Sequence, residues 1–334
     1  MPEPLTPDRP VRWGIFGAGR IASKVCADIS ASNGNLVAAV GARDAGRAAE
    51  FAARFGAPDS YGSYAELAES AEVDVIYVAT THPHHREQAL LASSARKSVL
   101  IEKPVCLNAG QAREVFDAAK RADVFAMEAM WMRTNPLICM AEQLIADGAI
   151  GEVRAVRAEL GLGLAFNEGH RLYDLANGGG ALLDLGIYPV TFGWLFLGRP
   201  DSRAVSGSLS PTGSDATVAM QWGYADGRDA QLWCSVPTNA PNRGLIMGTE
   251  GWITTEGDFH RPSGLVVNNA EGQSRIADPI ADAGFGYEPE IAEVARCLRA
   301  GLTESPLIPH SDTIAIMELI DDARAQLGVK YPGE

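Results

Sequence analysis

Several features are scarce in this 334-residue chain. Its five cysteines, Cys26, Cys106, Cys139, Cys234 and Cys297, are odd in number, scattered and without a CxxC pair. That pattern excludes a disulfide framework and a thiolate zinc site, and the expectation is buried free thiols. Three of its six histidines fall in His82-Pro83-His84-His85. No carboxylate or thiol stands near them at ligand spacing, so no metal site is expected. Positive charge is also short. Twenty-eight Lys and Arg face forty-two Asp and Glu, for a net charge of −14. So acidic a surface repels phosphate backbones and anionic lipid heads, which argues against nucleic-acid and membrane partners. No run reaches the roughly 18–20 apolar residues that span a bilayer. The polar, Pro-rich stretch 1–10 has nothing like a signal peptide, so a cytoplasmic protein is expected. Repeats and low-complexity linkers are missing too.

What is present is a substantial apolar complement, 46% of residues against 21% charged, enough for a sizeable core in about two domains. Val11 to Phe16 reads as a strand, and a glycine-rich turn leads from it into a helix ending near Ser32. Apolar runs at 36–40, 73–79, 98–101 and 124–127 then alternate with helical stretches at 45–55, 85–95 and 108–121. Strands alternating with helices imply βαβ units, and apolar strands without strict alternation imply a parallel sheet covered on both faces. The pattern changes near Glu128. A helix is expected over Pro136–Ala146, a strand over Val153–Leu160 and an apolar helix over Ala181–Leu197. Short alternating runs at 217–222, 230–236 and 245–247, separated by turn residues, suggest an antiparallel sheet. Helices near 287–300 and 311–327 close the chain. The reading is thus α/β, with a doubly wound parallel sheet over 1–127 and a second domain over 128–334.

The turn Gly17-x-Gly19-x-x-Ala22 follows a strand and opens a helix. Gly17 permits the tight turn, Gly19 lets backbone approach a pyrophosphate, and the small Ala22 lets helix and strand pack closely. Arg20, Ile21 and Ala22 would offer their N–H groups at the helix's positive end. An NAD site wants an acid just past the second strand. Here the chain reads Gly41-Ala42-Arg43-Asp44, with Ala42 in the acid's place and Arg43 available to pair with a 2′-phosphate. NADP is therefore expected over NAD. The alternative is that Arg43 is a solvated residue and Asp44 serves as the ribose acid.

Glu102-Lys103-Pro104 ends the strand at 98–101, where open α/β sheets bind ligands. Downstream, Gly178-Gly179-Gly180-Ala181-Leu182-Leu183-Asp184-Leu185-Gly186-Ile187-Tyr188 places Asp184 and Tyr188 four residues apart, on one face of an α-helix. Together with Thr80-Thr81-His82-Pro83-His84-His85 and Glu128-Ala129-Met130-Trp131-Met132-Arg133, the motifs occur in an order that resembles the Gfo/Idh/MocA oxidoreductase family. The resemblance runs from about Val11 to Leu327. Tyr188, Trp131 and the AxxD after the second strand look like the branch containing dimeric dihydrodiol dehydrogenase and NADP-dependent D-xylose dehydrogenase.

The resemblance implies a Rossmann domain followed by an α/β domain on a large, mostly antiparallel open sheet. The open face of that sheet would form a homodimer, or a dimer of dimers, and the last helix, about 311–327, would pack back on the Rossmann domain. Lys103 and Tyr188 would flank the nicotinamide and the substrate carbinol. Thr80, Thr81, His82 and His85 would line the nicotinamide-side ribose and phosphates, with Glu102, Trp131 and Arg133 bordering the cofactor. Arg171, Tyr173 and Phe166 would face substrate. An aromatic-lined pocket drawn from Trp131, Phe166, Trp233 and Phe285 would suit a ring.

The chemistry also follows from the side chains. A free phenol, with a pKa of about 10, is a poor base at neutral pH. A nearby ammonium favours phenolate, each pKa unit being worth about 1.4 kcal/mol. Lys103 would supply that field, and Asp184 would orient Lys103 or a substrate hydroxyl. The expected activity is NADP-dependent hydride transfer to or from a carbinol of a sugar, polyol or vicinal diol. Two alternatives stand beside it: a redox-neutral enzyme that oxidises transiently to eliminate a glycoside, and a non-catalytic NADP-binding sensor.

Overall fold

The structure, a computed structural model, describes residues 5–6, 9–279 and 284–332. They divide into two compact units. The first holds the described residues through Thr134 together with those from 284 to Ile314. The second holds 135–279 and 315–332. The boundary thus falls seven residues beyond the change in sequence pattern at 127, and the segment 284–314 belongs with the first unit. Asp28 is one reason. Its buried carboxylate accepts the N–H groups of Phe285 at 2.9 Å and Tyr287 at 2.9 Å, fixing the entry to the helix at 288–299.

The first unit is built on a six-stranded parallel sheet, β1 (Val11–Phe16), β2 (Asn35–Gly41), β3 (Asp59–Tyr61), β4 (Val75–Val78), β5 (Ser98–Glu102) and β6 (Ala126–Ala129). The order is β3-β2-β1-β4-β5-β6, so the strand direction of build-up reverses between β1 and β4. That is the switch point at which doubly wound sheets bind ligands, outside the carboxyl ends of the strands. Trp13, Ile15, Phe16, Ile76, Tyr77, Leu100 and Ile101 are fully buried, as expected for a sheet covered on both faces. Between the strands run α1 (Arg20–Ala31), α2 (Ala45–Phe55), α3 (Tyr64–Glu69), α4 (His85–Ser94) and α5 (Ala109–Ala122).

The second unit opens with α6 (Pro136–Ala146). Asn135 caps it by accepting from Leu137 N–H at 2.9 Å, and Pro136 stands where a missing N–H does no harm. Its sheet has eight strands: β7 (Val153–Gly161), β8 (Ser202–Leu209), β9 (Asp215–Gly223), β10 (Asp229–Ser235), β11 (Gly244–Gly248), β12 (Trp252–Glu256), β13 (Gly264–Asn269) and β14 (Gly272–Ala277). The order is β14-β13-β12-β11-β7-β10-β9-β8, antiparallel throughout except for the β7–β10 pair. Burial alternates along β9 and β10, which marks one covered face and one open face.

The covered face is overlain by α7 (Ile187–Leu197), whose Phe192 is fully buried. Counting the turns before it, the segment Leu175–Leu197 is 23 residues long with a mean hydropathy of 1.4, so the chain does contain one run apolar and long enough to cross a bilayer. Nine-tenths of it is buried inside the protein, the mark of a core helix. The chain closes with α8 (Glu288–Arg299) and α9 (His310–Leu327). All five cysteines are free, four of them buried and Cys139 half-buried.

Candidate active site

In the first unit the candidate residues sit at the carboxyl ends of β1, β2, β4 and β5. Gly17 has φ +105°, and a Cβ there would press on the Ala79 carbonyl oxygen at 3.0 Å, so the chain itself requires glycine at this tight turn. Gly19 differs. A Cβ there would meet nothing closer than the Ala79 oxygen at 4.0 Å, so the room it leaves is on the outside, where a phosphate would approach. Gly19 begins α1 with no side-chain cap and no acid in the first turn, leaving the first N–H groups and the positive helix end for an anion. Ala22 is fully buried against the sheet. Arg20 is exposed at the helix start and Ile21 half-buried.

Past β2, Ala42 is buried and Arg43 exposed. The Asp44 carboxylate accepts the Arg47 N–H at 2.7 Å and so serves as the N-cap of α2. That use of Asp44 speaks against its acting as the ribose acid. The same turn brings up Arg47, which the sequence reading passed over. Burial raises the pKa of Tyr64, and the cationic fields of Arg43 and Arg47 oppose that rise.

The loop after β4 is braced from within. Thr80 Oγ1 donates to Gln88 Oε1 at 2.8 Å. His85 is fully buried, with Nδ1 2.9 Å from the Pro104 carbonyl oxygen and Nε2 3.3 Å from that of Thr80. Desolvation lowers its pKa to about 4, so the ring is neutral and its one N–H serves the shorter contact. His85 thus ties the loop to the turn after β5 and offers no surface for direct contact with a cofactor. His82 is nearly buried and meets His85 edge-on, with 5.7 Å between centroids, while Thr81 is exposed.

At the end of β5, Glu102 is buried and accepts the Tyr77 hydroxyl and, at 3.1 Å, the Lys103 N–H. Lys103 itself is half-buried and precedes a cis peptide to Pro104. Glu128, at the end of β6, accepts the Val105 N–H at 2.9 Å and the Thr313 hydroxyl at 3.2 Å. Complete burial pushes its carboxyl up to about 7 against those hydrogen bonds and the fields of Arg133 and Lys103. Trp131 is half-buried and packs on Tyr287 at 4.8 Å. Arg133 is buried and ion-paired with Asp312 at 2.9 Å. A further acid, Glu290 of α8, is fully buried and has no hydrogen-bond partner for either oxygen among the described residues. Burial, with Glu102 and Asp28 adding to it, raises its pKa well above the ordinary carboxyl value.

The second unit carries its own group of candidate residues. Leu182–Gly186 is wound as a π turn, and α7 continues from it. The α-helical register assumed between Asp184 and Tyr188 therefore does not hold. The wider turn accommodates Pro189, which lacks an N–H and crowds the carbonyl four residues back. The Asp184 carboxylate is nearly buried and is gripped by the half-exposed Arg171 guanidinium at 3.0 Å. Tyr188 is 6% exposed, and its ring packs on His260 with centroids 4.7 Å apart.

His260 was not singled out by its sequence, since only the loop between β12 and β13 brings it to α7. Its neighbour Phe259 packs on Phe192, one helical turn along from Tyr188, at 5.3 Å. Tyr173 is 1% exposed and donates its hydroxyl to the Leu164 carbonyl at 2.6 Å. It therefore holds the 164–173 loop. Phe166, half-exposed, rests edge-on against it at 5.0 Å. Trp233 stands elsewhere, on the open sheet face. Among the described residues no group of three His, Cys, Asp or Glu is placed to hold a metal ion.

A six-stranded sheet in this order, with a glycine turn and an open helix N-terminus at its switch point, has the form of a dinucleotide-binding domain, here followed by a second α/β unit. Residues 11–130 match the oxidoreductase family profile for a NAD-binding Rossmann fold, and residues 138–254 match a GFO/IDH/MocA C-terminal domain, so the chain belongs to the Gfo/Idh/MocA family. It is 39% identical over 331 residues to trans-1,2-dihydrobenzene-1,2-diol dehydrogenase of Danio rerio, covering 96% of this chain and 98% of that protein. Against the Homo sapiens protein of the same name it is 36% identical over 330 residues, with the same coverage. Among solved structures, a 3-ketoreductase from Actinomadura kijaniata in complex with NADP has a TM-score of 0.83 at 24% identity, covering 95% of this chain and 98% of that one. An aldose–aldose oxidoreductase from Caulobacter crescentus has 0.85 at 20%, covering 96% and 98%.

Proposed function

We propose that this protein transfers hydride between NADP and a carbinol of a vicinal diol, sugar or polyol, with Tyr188 as acid–base and Lys103 as its cationic partner. The observation that carries the choice of dinucleotide is the end of β2: Ala42 where an acid would hold a ribose hydroxyl, Asp44 occupied as a helix cap, and the exposed Arg43 and Arg47 just before and just inside α2. Two guanidiniums there suit a 2′-phosphate. The glycine turn would hold the pyrophosphate, and the loop 80–85, braced by Gln88 and His85, would hold the nicotinamide end. When bound, the nicotinamide supplies the hydride acceptor or donor.

The chain's own residues manage the proton. Tyr188 removes the hydroxyl proton as hydride leaves carbon and returns it in the reverse direction. The Lys103 ammonium favours phenolate, lowering a pKa that is otherwise too high for neutral pH. Glu102, through the Lys103 N–H, and Glu128, through Val105, fix the backbone on both sides of Lys103. Arg171 holds Asp184 and so sets the carboxylate at the start of the Tyr188 helix.

The names of the relatives favour a diol as substrate. We further read the open sheet face as the contact of a homodimer. It carries a depression of about 660 Å³ lined by Arg157, Glu159, Gln221, Gln231, Trp233 and Arg243, a mixture of charge, amide and aromatic surface suited to a second copy.

The test follows the nicotinamide absorbance of purified enzyme with NADP or NAD and a panel of vicinal diols and aldoses. Steady reduction of NADP with at least one diol is expected. Cofactor binding without turnover on any substrate would favour a sensor, and substrate consumption without net NADPH would favour elimination. Tyr188→Phe and Lys103→Met should each lose roughly 100- to 10,000-fold in kcat while NADP still binds.

A further inference from the structure

We propose that Asp215 and Tyr331 are positioning residues that hold the turn carrying Asp184 and Tyr188, a role that rests on the acid–base reading of Tyr188. Three glycines lead into that turn, and two side chains from far downstream hold it. Asp215 opens β9 and is fully buried. Its Oδ2 accepts the N–H of Leu182, the first residue of the π turn, at 2.5 Å. Its Oδ1 stands against Gly180, where any Cβ would overlap it, and has no hydrogen-bond partner among the described residues. A carboxylate set against the unpaired N–H groups at a helix start satisfies them and suits the local dipole. The Leu182 and Ala181 N–H groups and the Arg324 cation pull against the burial that raises this carboxyl to about 6, so it is largely ionised at neutral pH.

The second grip comes from the end of the chain. Tyr331, 3% exposed, donates its hydroxyl to the Gly179 carbonyl at 3.0 Å. Its ring lies under the Arg324 guanidinium at 4.7 Å, and Arg324 is in turn held by Asp321 at 2.8 Å. The residues entering the Tyr188 helix are thus pinned at the Gly179 carbonyl by a side chain 152 positions on and at the Leu182 N–H by a side chain 33 positions on, with that second carboxylate also filling the space beside Gly180. Glycine is required at Gly180 because φ is +131° and Asp215 fills the space beside it. The same freedom would let the turn swing if the grips were released. Proton transfer tolerates little displacement of the phenol, so the expected effect falls on kcat.

The experiment compares the full-length wild type with Asp215→Ala, Asp215→Asn and Tyr331→Phe. It uses NADP with trans-cyclohexane-1,2-diol for kinetics, and deuterium exchange by mass spectrometry on the peptide spanning 178–190. Tyr331→Phe and Asp215→Ala should lose roughly 10- to 100-fold in kcat. Their KM for NADP should hold, and exchange should be faster in that peptide while that of β1 and α1 is unchanged. Asp215→Asn keeps an acceptor oxygen for Leu182 and should recover part of the loss. Wild-type kcat and wild-type exchange in Tyr331→Phe would overturn the proposal, as would a loss accompanied by faster exchange throughout the chain. If the wild type turns over no carbinol, the reading of Tyr188 fails on its own. The local exchange then still decides whether Asp215 and Tyr331 hold the turn, and unchanged exchange would overturn it.

Discussion

Glu128→Gln tests the electrostatics of the Lys103 turn directly. The Glu128 carboxyl is completely buried and lifted from the ordinary 4.5 to about 7, desolvation being the leading cause. The folded protein therefore keeps this proton over a range in which the unfolded chain has lost it. A group with a raised folded pKa binds more protons folded than unfolded, so its contribution to stability is full at low pH and is lost as pH rises. At 1.36 kcal/mol per pKa unit, the shift corresponds to about 3 kcal/mol in all, of which about 2.5 kcal/mol is lost between about pH 5 and pH 8.

Glutamine removes the titration and keeps the geometry. Its carbonyl oxygen accepts from the Val105 N–H, and its amide can donate to the Thr313 hydroxyl, the two partners of the acid. The variant should match the wild type within about 1 kcal/mol near pH 5 and exceed it by about 3 kcal/mol near pH 8. Urea unfolding followed by circular dichroism at several pH values reads the difference, and subtracting one series from the other cancels Asp215 and Glu290, which titrate in both. Parallel stability curves for the two proteins would refute the reasoning, since they would mean that Glu128 ionises in the folded state as readily as in the unfolded chain.

The remaining predictions concern the cofactor end and the glycine turn. Arg43→Ala should raise KM for NADP roughly 10- to 100-fold and leave that for NAD unchanged, because only one of the two carries the 2′-phosphate. The Arg43→Ala, Arg47→Ala double variant should raise it further, and unchanged NADP kinetics in the double variant would remove both guanidiniums from the site. Gly180→Ala should destabilise the second unit by about 2–4 kcal/mol, seen as a lower unfolding midpoint, since it combines a disfavoured φ with overlap on Asp215. A midpoint within error of the wild type would mean that Asp215 moves aside at little cost.

Much of this architecture could be read along the chain wherever the determining contacts are local. The β1–Gly17–α1 passage is one such place, because strand, turn and helix start are consecutive. So is α6, where Asn135 and Pro136 mark the start and Asp147-Gly148 the stop, and the expected bounds are those observed. The short or polar elements were not legible. β3 has three residues and α3 six, too few for any period to show, and β14 reads Gly-Gln-Ser-Arg-Ile-Ala with hardly a buried side chain. An α-helix was expected through Ala181–Leu197, and only the geometry reveals the π turn that precedes Pro189.

The site divides along the same line. Lys103, Tyr188 and the glycines announce themselves by motif, whereas their surroundings come from far away: Glu290 in the field of Glu102, His260 beside Tyr188, Asp215 beside Gly180. Asp44 lies between these cases. Its place before an Ala-rich helix carries the signature of an N-cap, a local signal that competes with the ribose-acid reading and that the structure resolves in favour of the cap. An acid already spent on a helix start is a weak partner for a ribose hydroxyl, and with it goes the main sequence argument for NAD. The proposed preference for NADP then depends on two arginines, of which the sequence pointed to one and the first turn of α2 supplies the other.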